Sequence, residues 1–139
     1  MSFVERLLAC WEEPIEGRAD PEADFGALYH DPVTVNGVAT PVADLVRRAR
    51  ALQKALEGRR TRIVHCVEAG RAIVVGFTLT GRHVGPFPSA LGMVPATGVE
   101  ITVRATDILT MVDGRVKDIW VISDDLAVLT QMNAVQLTV

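Results

Sequence analysis

The sequence has few of the residues on which several common protein classes depend. Aromatic residues make up only 5% of its 139 residues, so the interior must be built mainly from aliphatic side chains. Its two cysteines, Cys10 and Cys66, are too few for a disulfide-rich scaffold and lack the spacing of a metal site. The three histidines and the scattered acidic residues show no metal-ligand spacing either. We therefore expect neither a metal nor another cofactor.

The sequence also lacks the charge and the hydrophobic runs of proteins that bind nucleic acids or membranes. The net charge is -3, and the densest basic segment, residues 47–62, is interrupted by apolar residues as in a solvated helix face. No apolar run approaches the roughly 18–20 residues that cross a bilayer, and the first residues lack the basic start of a cleavable leader. We expect a soluble, cytoplasmic protein with free thiols and with neither a nucleic-acid nor a membrane partner.

The pattern of apolar residues predicts one α+β domain that spans residues 1–139. Helices are predicted to begin at Ser2, Asp20, Thr40 and Asp124, and strands to cover residues 33–35, 62–68, 72–80, 99–112 and 115–123. His30-Asp31-Pro32 should end the second helix and Gly58 the third. We expect a curved antiparallel sheet wrapped around the long third helix, which gives a cone whose open end is a small-molecule pocket.

One acidic residue interrupts the apolar face of a predicted strand. Residues 99–111 alternate strictly, and Asp107 falls on the apolar face between Ala105 and Leu109. Asp113-Gly114 is a two-residue turn signal, so the next strand returns beside the first. Apolar surroundings should raise the pKa of Asp107, which suits a proton donor to a carbonyl or enolate oxygen. The alternative is a structural carboxylate that binds a backbone amide or a buried arginine.

The segment before this hairpin combines loop-forming and apolar residues. Residues 86–98 are rich in proline and glycine but also contain Phe87 and Met93. A loop with this composition is expected to fold over the pocket mouth or into a subunit interface, and we expect Phe87 and Met93 to contact the ligand. His83 precedes it and could act as the base or as a proton relay, or could order the loop by binding backbone groups.

The C-terminal half, from about Leu79 onward, resembles the SnoaL-like polyketide cyclases, within the broader ketosteroid-isomerase-like superfamily of cone-shaped α+β barrels. No single motif is decisive, but the matching motifs occur in the family's order. They are Gly81-Arg82-His83-Val84-Gly85, Gly92-Met93-Val94-Pro95-Ala96-Thr97-Gly98, Asp107-Ile108, Val112-Asp113-Gly114-Arg115-Val116, Trp120, and Asp124-Asp125-Leu126 with Leu129 and Gln131.

The resemblance also identifies two positions at which this chain departs from its relatives. Ring-closing members of the family carry an acid/base aspartate directly after the tryptophan, where this chain has Val121. Ketosteroid isomerases place their proton-abstracting aspartate near the end of the first short strand, where this chain has Asn36. Neither residue can transfer a proton. Asp107, by contrast, resembles the acidic oxyanion-hole residue of those isomerases, a carboxyl kept neutral by its apolar site.

Further ligand contacts follow from the same resemblance. Trp11 and Arg48 lie near positions where related cyclases keep pocket residues, although core packing and a solvated arginine explain them about as well. Val121 and Asn36 are expected to contact the ligand even though they cannot act as bases. Strand alternation places Trp120 on the face opposite Val121, which favours packing against a partner subunit, so we expect a homodimer through the outer face of the sheet.

The leading hypothesis is a cofactor-free enzyme that acts on a bulky, mostly apolar carbonyl compound such as a polyketide intermediate. In it Asp107 serves as acid or hydrogen-bond donor and His83 assists. The replacements at Val121 and Asn36 keep a second hypothesis open, a binding module that has kept the pocket and lost catalysis. A third is an accessory protein in polyketide hydroxylation, for which the sequence has no flavin or metal motif.

Overall fold

A six-stranded sheet, a two-stranded hairpin and four helices make up the computed structural model, which describes residues 1–138. The expected domain extends to residue 139, which lies outside the described residues. In chain order the elements are α1 (Phe3–Glu12), α2 (Pro21–Gly26), β1 (Tyr29–Val35), β2 (Val38–Thr40), α3 (Val42–Ala55), β3 (Leu56–Ala69), β4 (Ala72–His83), β5 (Phe87–Ser89), β6 (Gly92–Val94), β7 (Glu100–Val112), β8 (Arg115–Ser123) and α4 (Asp125–Gln131).

Side-chain caps define the starts of three helices, as the sequence predicts. Ser2 accepts a hydrogen bond from the Glu5 amide, Asp20 from the Ala23 amide and Asp124 from the Ala127 amide. These caps satisfy amides that have no partner within the helix. The long helix α3 begins instead after Pro41, without a side-chain cap, and the Asp31 carboxylate accepts from the Val42 amide.

The large sheet has the strand order β2-β1-β8-β7-β4-β3. All neighbouring strands are antiparallel except β1 and β8, which are parallel, so the predicted antiparallel sheet contains one parallel pair. Helices α1, α2 and α3 pack against one face and bury a cluster that includes Leu7, Phe25, Leu45, Ile73 and Leu109. The predicted α+β architecture, a curved sheet around a long helix, is confirmed.

Several predicted boundaries were wrong near the two ends of α3. The third helix ends at Ala55, not at Gly58, because the chain passes directly into β3 at the fully buried Leu56. Gly58 has a φ of 62° and lies where the pairing of β3 with β4 shifts register. Residues 30–32 lie within β1 and do not end a helix, and β2 was not predicted.

The segment before β7 folds as a short hairpin of β5 and β6 and packs beside the end of α3. Its approach is close at Gly85, where an added Cβ would clash with the Lys54 carbonyl oxygen. The amides of Val84 and Gly85 both donate to the Ala55 carbonyl. Phe87 and Val94 join a second apolar cluster around Leu56 and Ile101. The predicted loop is therefore an ordered part of the fold.

The outer face of the large sheet is left uncovered by the helices. It exposes Val67, Trp120 and Ile122, each with more than half of its surface accessible. His65, whose facing the sequence left open, also lies on this side, in a shallow groove with Ile122 and Arg104. In residues 1–138 no helix is long and apolar enough to cross a membrane.

Candidate active site

A cavity of about 240 Å³ opens between the inner face of the sheet and helices α1 and α3. Most of its wall is aliphatic or aromatic, as in pockets that bind small apolar molecules. The polar side chains in the wall are few and come from five different elements. The lining residues that matter below are Trp11, Glu12, Tyr29, Leu45, Arg48, Leu52, Arg59, Val75, Asp107 and Val121.

The carboxyl group of Asp107 lies in the wall of this cavity, at the centre of β7. Its strand neighbours are Val75 on β4 and Val121 on β8, and both line the cavity beside it. The Oδ1 atom of Asp107 is buried and has no hydrogen-bond partner, and no other side-chain oxygen or nitrogen within residues 1–138 shares that condition. A buried polar atom without a partner is costly, so its presence in a cavity wall points to a role with a ligand.

Burial determines the protonation behaviour of Asp107. Loss of solvent raises the pKa of this carboxyl from 3.8 to about 6. At neutral pH roughly nine tenths of the molecules then carry the ionised form. Asp107 can therefore accept a proton at neutral pH and return it, as an acid/base group requires.

Tyr29, the only tyrosine of the chain, is a polar group of the cavity that the sequence analysis missed. It is the first residue of β1 and is 2% exposed, whereas the sequence predicted a second helix that continues up to His30-Asp31-Pro32. Its hydroxyl oxygen accepts a hydrogen bond from Trp11 Nε1 at 2.8 Å. Among the described residues its own proton has no acceptor within hydrogen-bond distance. The signal that could have identified Tyr29 was its being a single tyrosine in a sequence with few aromatic residues.

The environment of Tyr29 keeps its hydroxyl neutral. Burial, and next the negative charge of Asp107, raise the pKa of Tyr29 above its usual range. The phenol therefore keeps its proton and can donate it in a hydrogen bond to a ligand oxygen. Trp11 donates a hydrogen bond to the phenolic oxygen and so helps to orient the Tyr29 side chain. The sequence predicted Trp11 as a pocket residue, and in the structure it is also the hydrogen-bond partner of Tyr29.

The charged residues of the cavity other than Asp107 lie at its rim. Arg48 reaches the rim from α3 and is exposed. Arg59 donates to the backbone carbonyls of Gln53, Leu56 and Glu12 at 2.9 to 3.2 Å. The Glu12 side chain completes this group. Within residues 1–138 no three His, Cys, Asp or Glu side chains are grouped so that they could hold a metal ion.

His83 does not line the cavity, although a residue that acts as the base in this cavity would have to do so. The ring is fully buried, with Nδ1 2.9 Å from Thr97 Oγ1 and Nε2 3.2 Å from the Val94 carbonyl oxygen. The Thr97 amide also donates to Nδ1. His83 thus binds residues 94–97 on both sides of its ring, which is the second of the two interpretations that its sequence position left open.

Three other residues predicted to contact the ligand lie outside the cavity. Phe87 packs edge-on against His83, with 6.1 Å between the ring centroids, and Met93 is exposed on β6. Asn36 accepts from the Val121 amide at 2.8 Å and donates to the Val121 carbonyl at 3.1 Å. Its φ of 47° belongs to the tight turn after β1. Asn36 therefore joins β1 to β8, while Trp11, Arg48 and Val121 remain in the cavity wall.

Comparison with known proteins adds a family and a set of similar structures. A family model described as SnoaL-like polyketide cyclase matches residues 2–132. No curated protein matches the sequence. Among solved structures, TsrD from Streptomyces laurentii is 24% identical with a TM-score of 0.80, over 96% of this chain and 93% of that one.

Two further structures show the same architecture. A protein from Jannaschia sp. CCS1, assigned to the SnoaL-like polyketide cyclases, is 22% identical with a TM-score of 0.73, over 96% of this chain and 93% of that one. A protein from Catenulispora acidiphila with a ketosteroid isomerase-like fold is 14% identical with a TM-score of 0.68, over 95% and 92%. At these identities the structural likeness shows the fold alone.

Proposed function

Because the chain belongs to the SnoaL-like polyketide cyclase family, we propose that it is a cofactor-free enzyme that abstracts a proton beside a carbonyl group. The substrate is a bulky, mostly apolar compound such as a polyketide intermediate. The observation that carries this proposal is the Asp107 carboxyl, buried, without a partner for Oδ1, and set in the wall of an otherwise apolar cavity. Asp107 acts as acid and base, and Tyr29 takes the assisting role first considered for His83.

The proposed reaction uses two of the polar groups that line the cavity, Asp107 and Tyr29. The ionised Asp107 removes a proton from the carbon next to the carbonyl, and the electron pair of that C–H bond moves toward the carbonyl oxygen. Tyr29 donates a hydrogen bond to this oxygen as negative charge develops on it. The enolate carbon then attacks a second carbonyl of the same molecule, which closes a ring and leaves an alkoxide to be protonated; alternatively, where the enolate is conjugated with a C=C double bond, the far carbon of that conjugated system takes the proton. In both cases Asp107 returns the proton.

The position of Asp107 also accounts for the valine at the family's usual acid/base position. Asp107 and Val121 are directly paired across β7 and β8. The Cβ atoms of such pairs are about 4.5–5.5 Å apart and point to the same face of the sheet. A carboxylate at residue 107 therefore reaches the same part of the cavity as one at residue 121 would. This supports catalysis by a relocated acid, against the alternative of a binding module that has lost it.

Hydrogen exchange of a simple ketone tests the proposal without knowledge of the natural substrate. Beta-tetralone is a bicyclic aromatic ketone, and deuterium uptake next to its carbonyl in D₂O can be followed by mass spectrometry. We expect the protein to accelerate this exchange and Asp107→Asn to lose the acceleration by at least about a hundredfold. Asp113→Asn, which removes an exposed turn carboxylate, is the matched control and should exchange like the wild type.

Equal exchange rates for the wild type and Asp107→Asn, with tetralone bound to both, would overturn the proposed reaction. Binding is measured separately, by displacement of a fluorescent naphthalene dye. Binding without exchange would support the non-catalytic binding module instead.

We also propose that the enzyme is a homodimer through the outer face of the sheet. Val67, Val74, Ile108 and Trp120 are consecutive cross-strand partners on β3, β4, β7 and β8, so they form an apolar row across that face. Half or more of the surface of Val67 and Trp120 is exposed in the single chain. Sedimentation analysis should give a dimer for the wild type and a monomer for Trp120→Lys, and a wild-type monomer at micromolar concentration would refute the proposal.

A further inference from the structure

An arginine interrupts the helix face that α3 presents to the cavity. Leu45, Arg48 and Leu52 are three and four residues apart, a spacing that places side chains on one face of a helix, and all three line the cavity. A third aliphatic side chain would complete this apolar face. Instead this position holds Arg48, which lines the cavity and is exposed to solvent, as expected of a long side chain whose apolar stem covers apolar surface while its charged end stays in water.

The neighbouring arginines of α3 are neutralised, whereas Arg48 is not. Arg47 forms an ion pair with Asp44, and Arg50 Nε lies 3.2 Å from the Glu16 carboxylate. For Arg48 the described residues provide neither an ion pair nor a hydrogen bond. Arg48 is thus the charged side chain of α3 that lines the cavity, and among the described residues it has no counter-charge.

The other charged groups of the cavity do not occupy the guanidinium group of Arg48. Arg59 donates to backbone carbonyls, including those of Gln53 and Leu56. Two acidic residues, Glu12 and Asp107, also line the cavity, and among the described residues neither forms an ion pair with Arg48. Arg48 therefore keeps its donors free for an anion at this end of the cavity.

We infer that the ligand is an amphipathic anion, with an apolar body inside the cavity and a carboxylate-type group bound by Arg48 at the rim. This inference rests on the proposed function, since it concerns the same cavity. A guanidinium group offers two parallel N–H donors that match the two oxygens of a carboxylate. Binding at the rim also orients the ligand, because its acidic end stays outside while its carbonyl reaches Asp107 and Tyr29.

Two fluorescent dyes with one aromatic skeleton test this inference. Anilinonaphthalene sulfonate carries an anionic group, and phenylnaphthylamine has the same rings without it. We expect the wild type to bind the sulfonate about twofold to fivefold more tightly than the neutral dye, the range of a partly exposed ion pair. Arg48→Gln should abolish this preference, and added salt should weaken it. Arg47→Gln, which removes an exposed arginine one residue away, is the matched control and should keep it.

A further variant shows whether both dyes bind in the cavity, and the outcomes distinguish failure of the anion site from failure of the proposed function. Val121→Trp, which fills the cavity, should abolish the binding of both dyes. A preference that is the same in Arg48→Gln as in the wild type overturns the anion site, even if ketone exchange by Asp107 is intact. A preference lost equally in Arg47→Gln overturns it too, because any helix charge would then suffice. Failure of both dyes to bind the wild type would overturn the cavity as a ligand site, and with it the proposed function.

Discussion

Replacement of Asp107 by asparagine should change how the stability of the fold depends on pH. Burial raises the pKa of this carboxyl from 3.8 to about 6, so the folded chain holds the proton more tightly than the unfolded chain does. Between these two pH values the folded state binds more protons, and the free energy of unfolding falls as pH rises. Above about pH 7 both states are almost fully ionised and the loss is complete.

The size of this effect follows from the two pKa values. Each tenfold change in proton affinity is worth about 1.36 kcal/mol, so the difference between 3.8 and about 6 corresponds to at most about 3 kcal/mol. The carboxyl keeps some contact with solvent through the open rim, and we therefore expect roughly 2–3 kcal/mol. The wild type should lose this amount between about pH 4 and about pH 7, whereas Asp107→Asn should not.

Urea unfolding at several pH values measures the difference directly. Other carboxylates also make stability depend on pH; for example, the hydrogen bond from Arg104 lowers the pKa of Asp124. Their contributions to the free energy of unfolding are equal in both proteins and cancel when the two curves are subtracted. A constant offset from the new amide also cancels in the slope. Asp113→Asn is the matched control, since asparagine tolerates the φ of 52° at this turn. Parallel curves for the wild type and Asp107→Asn would refute the burial of an ionisable group in the cavity.

Three further substitutions test the assignments of individual residues. Tyr29→Phe should slow ketone exchange by about tenfold to a hundredfold while its pH midpoint stays near that of the wild type, and an unchanged rate would remove Tyr29 from the reaction. His83→Ala should lower the free energy of unfolding by about 2–4 kcal/mol, because partners in residues 94–97 lose their hydrogen bonds, and a shifted midpoint of the exchange profile would instead make His83 a proton relay. Gly85→Ala should lower the melting temperature through a loss of about 1–3 kcal/mol, since its Cβ would meet the Lys54 carbonyl, and an unchanged melting temperature would contradict that close approach.

Strand alternation was sufficient to predict the position of Asp107 and the hairpin around it. A strand buried on one face repeats every two residues, so a single acidic residue in the apolar series has a definite direction. The same rule assigned Val121 to the inside and Trp120 to the outside. Helix starts were equally predictable, because Ser2, Asp20 and Asp124 act through contacts within three residues.

Contacts between residues that are distant in sequence could not be predicted from strand alternation or from helix caps. The bond between Trp11 and Tyr29 spans 18 residues, and that between Asn36 and Val121 spans 85. His83 lies within a motif that resembles the family's, yet its orientation depends on how the β5–β6 hairpin folds over it. The spacing of residue types along the sequence does not predict such pairs. They arise from the packing of the sheet against α1 and α3.

The pH dependence of tetralone exchange is the most direct test of the central claim that Asp107 transfers protons in an apolar cavity. We predict an exchange rate that rises with pH through a midpoint near 6 and then levels off, and an Asp107→Asn protein without this dependence. A midpoint near 4, or the same profile in both proteins, would contradict the claim, because the reacting group would then be a solvated carboxylate or another residue.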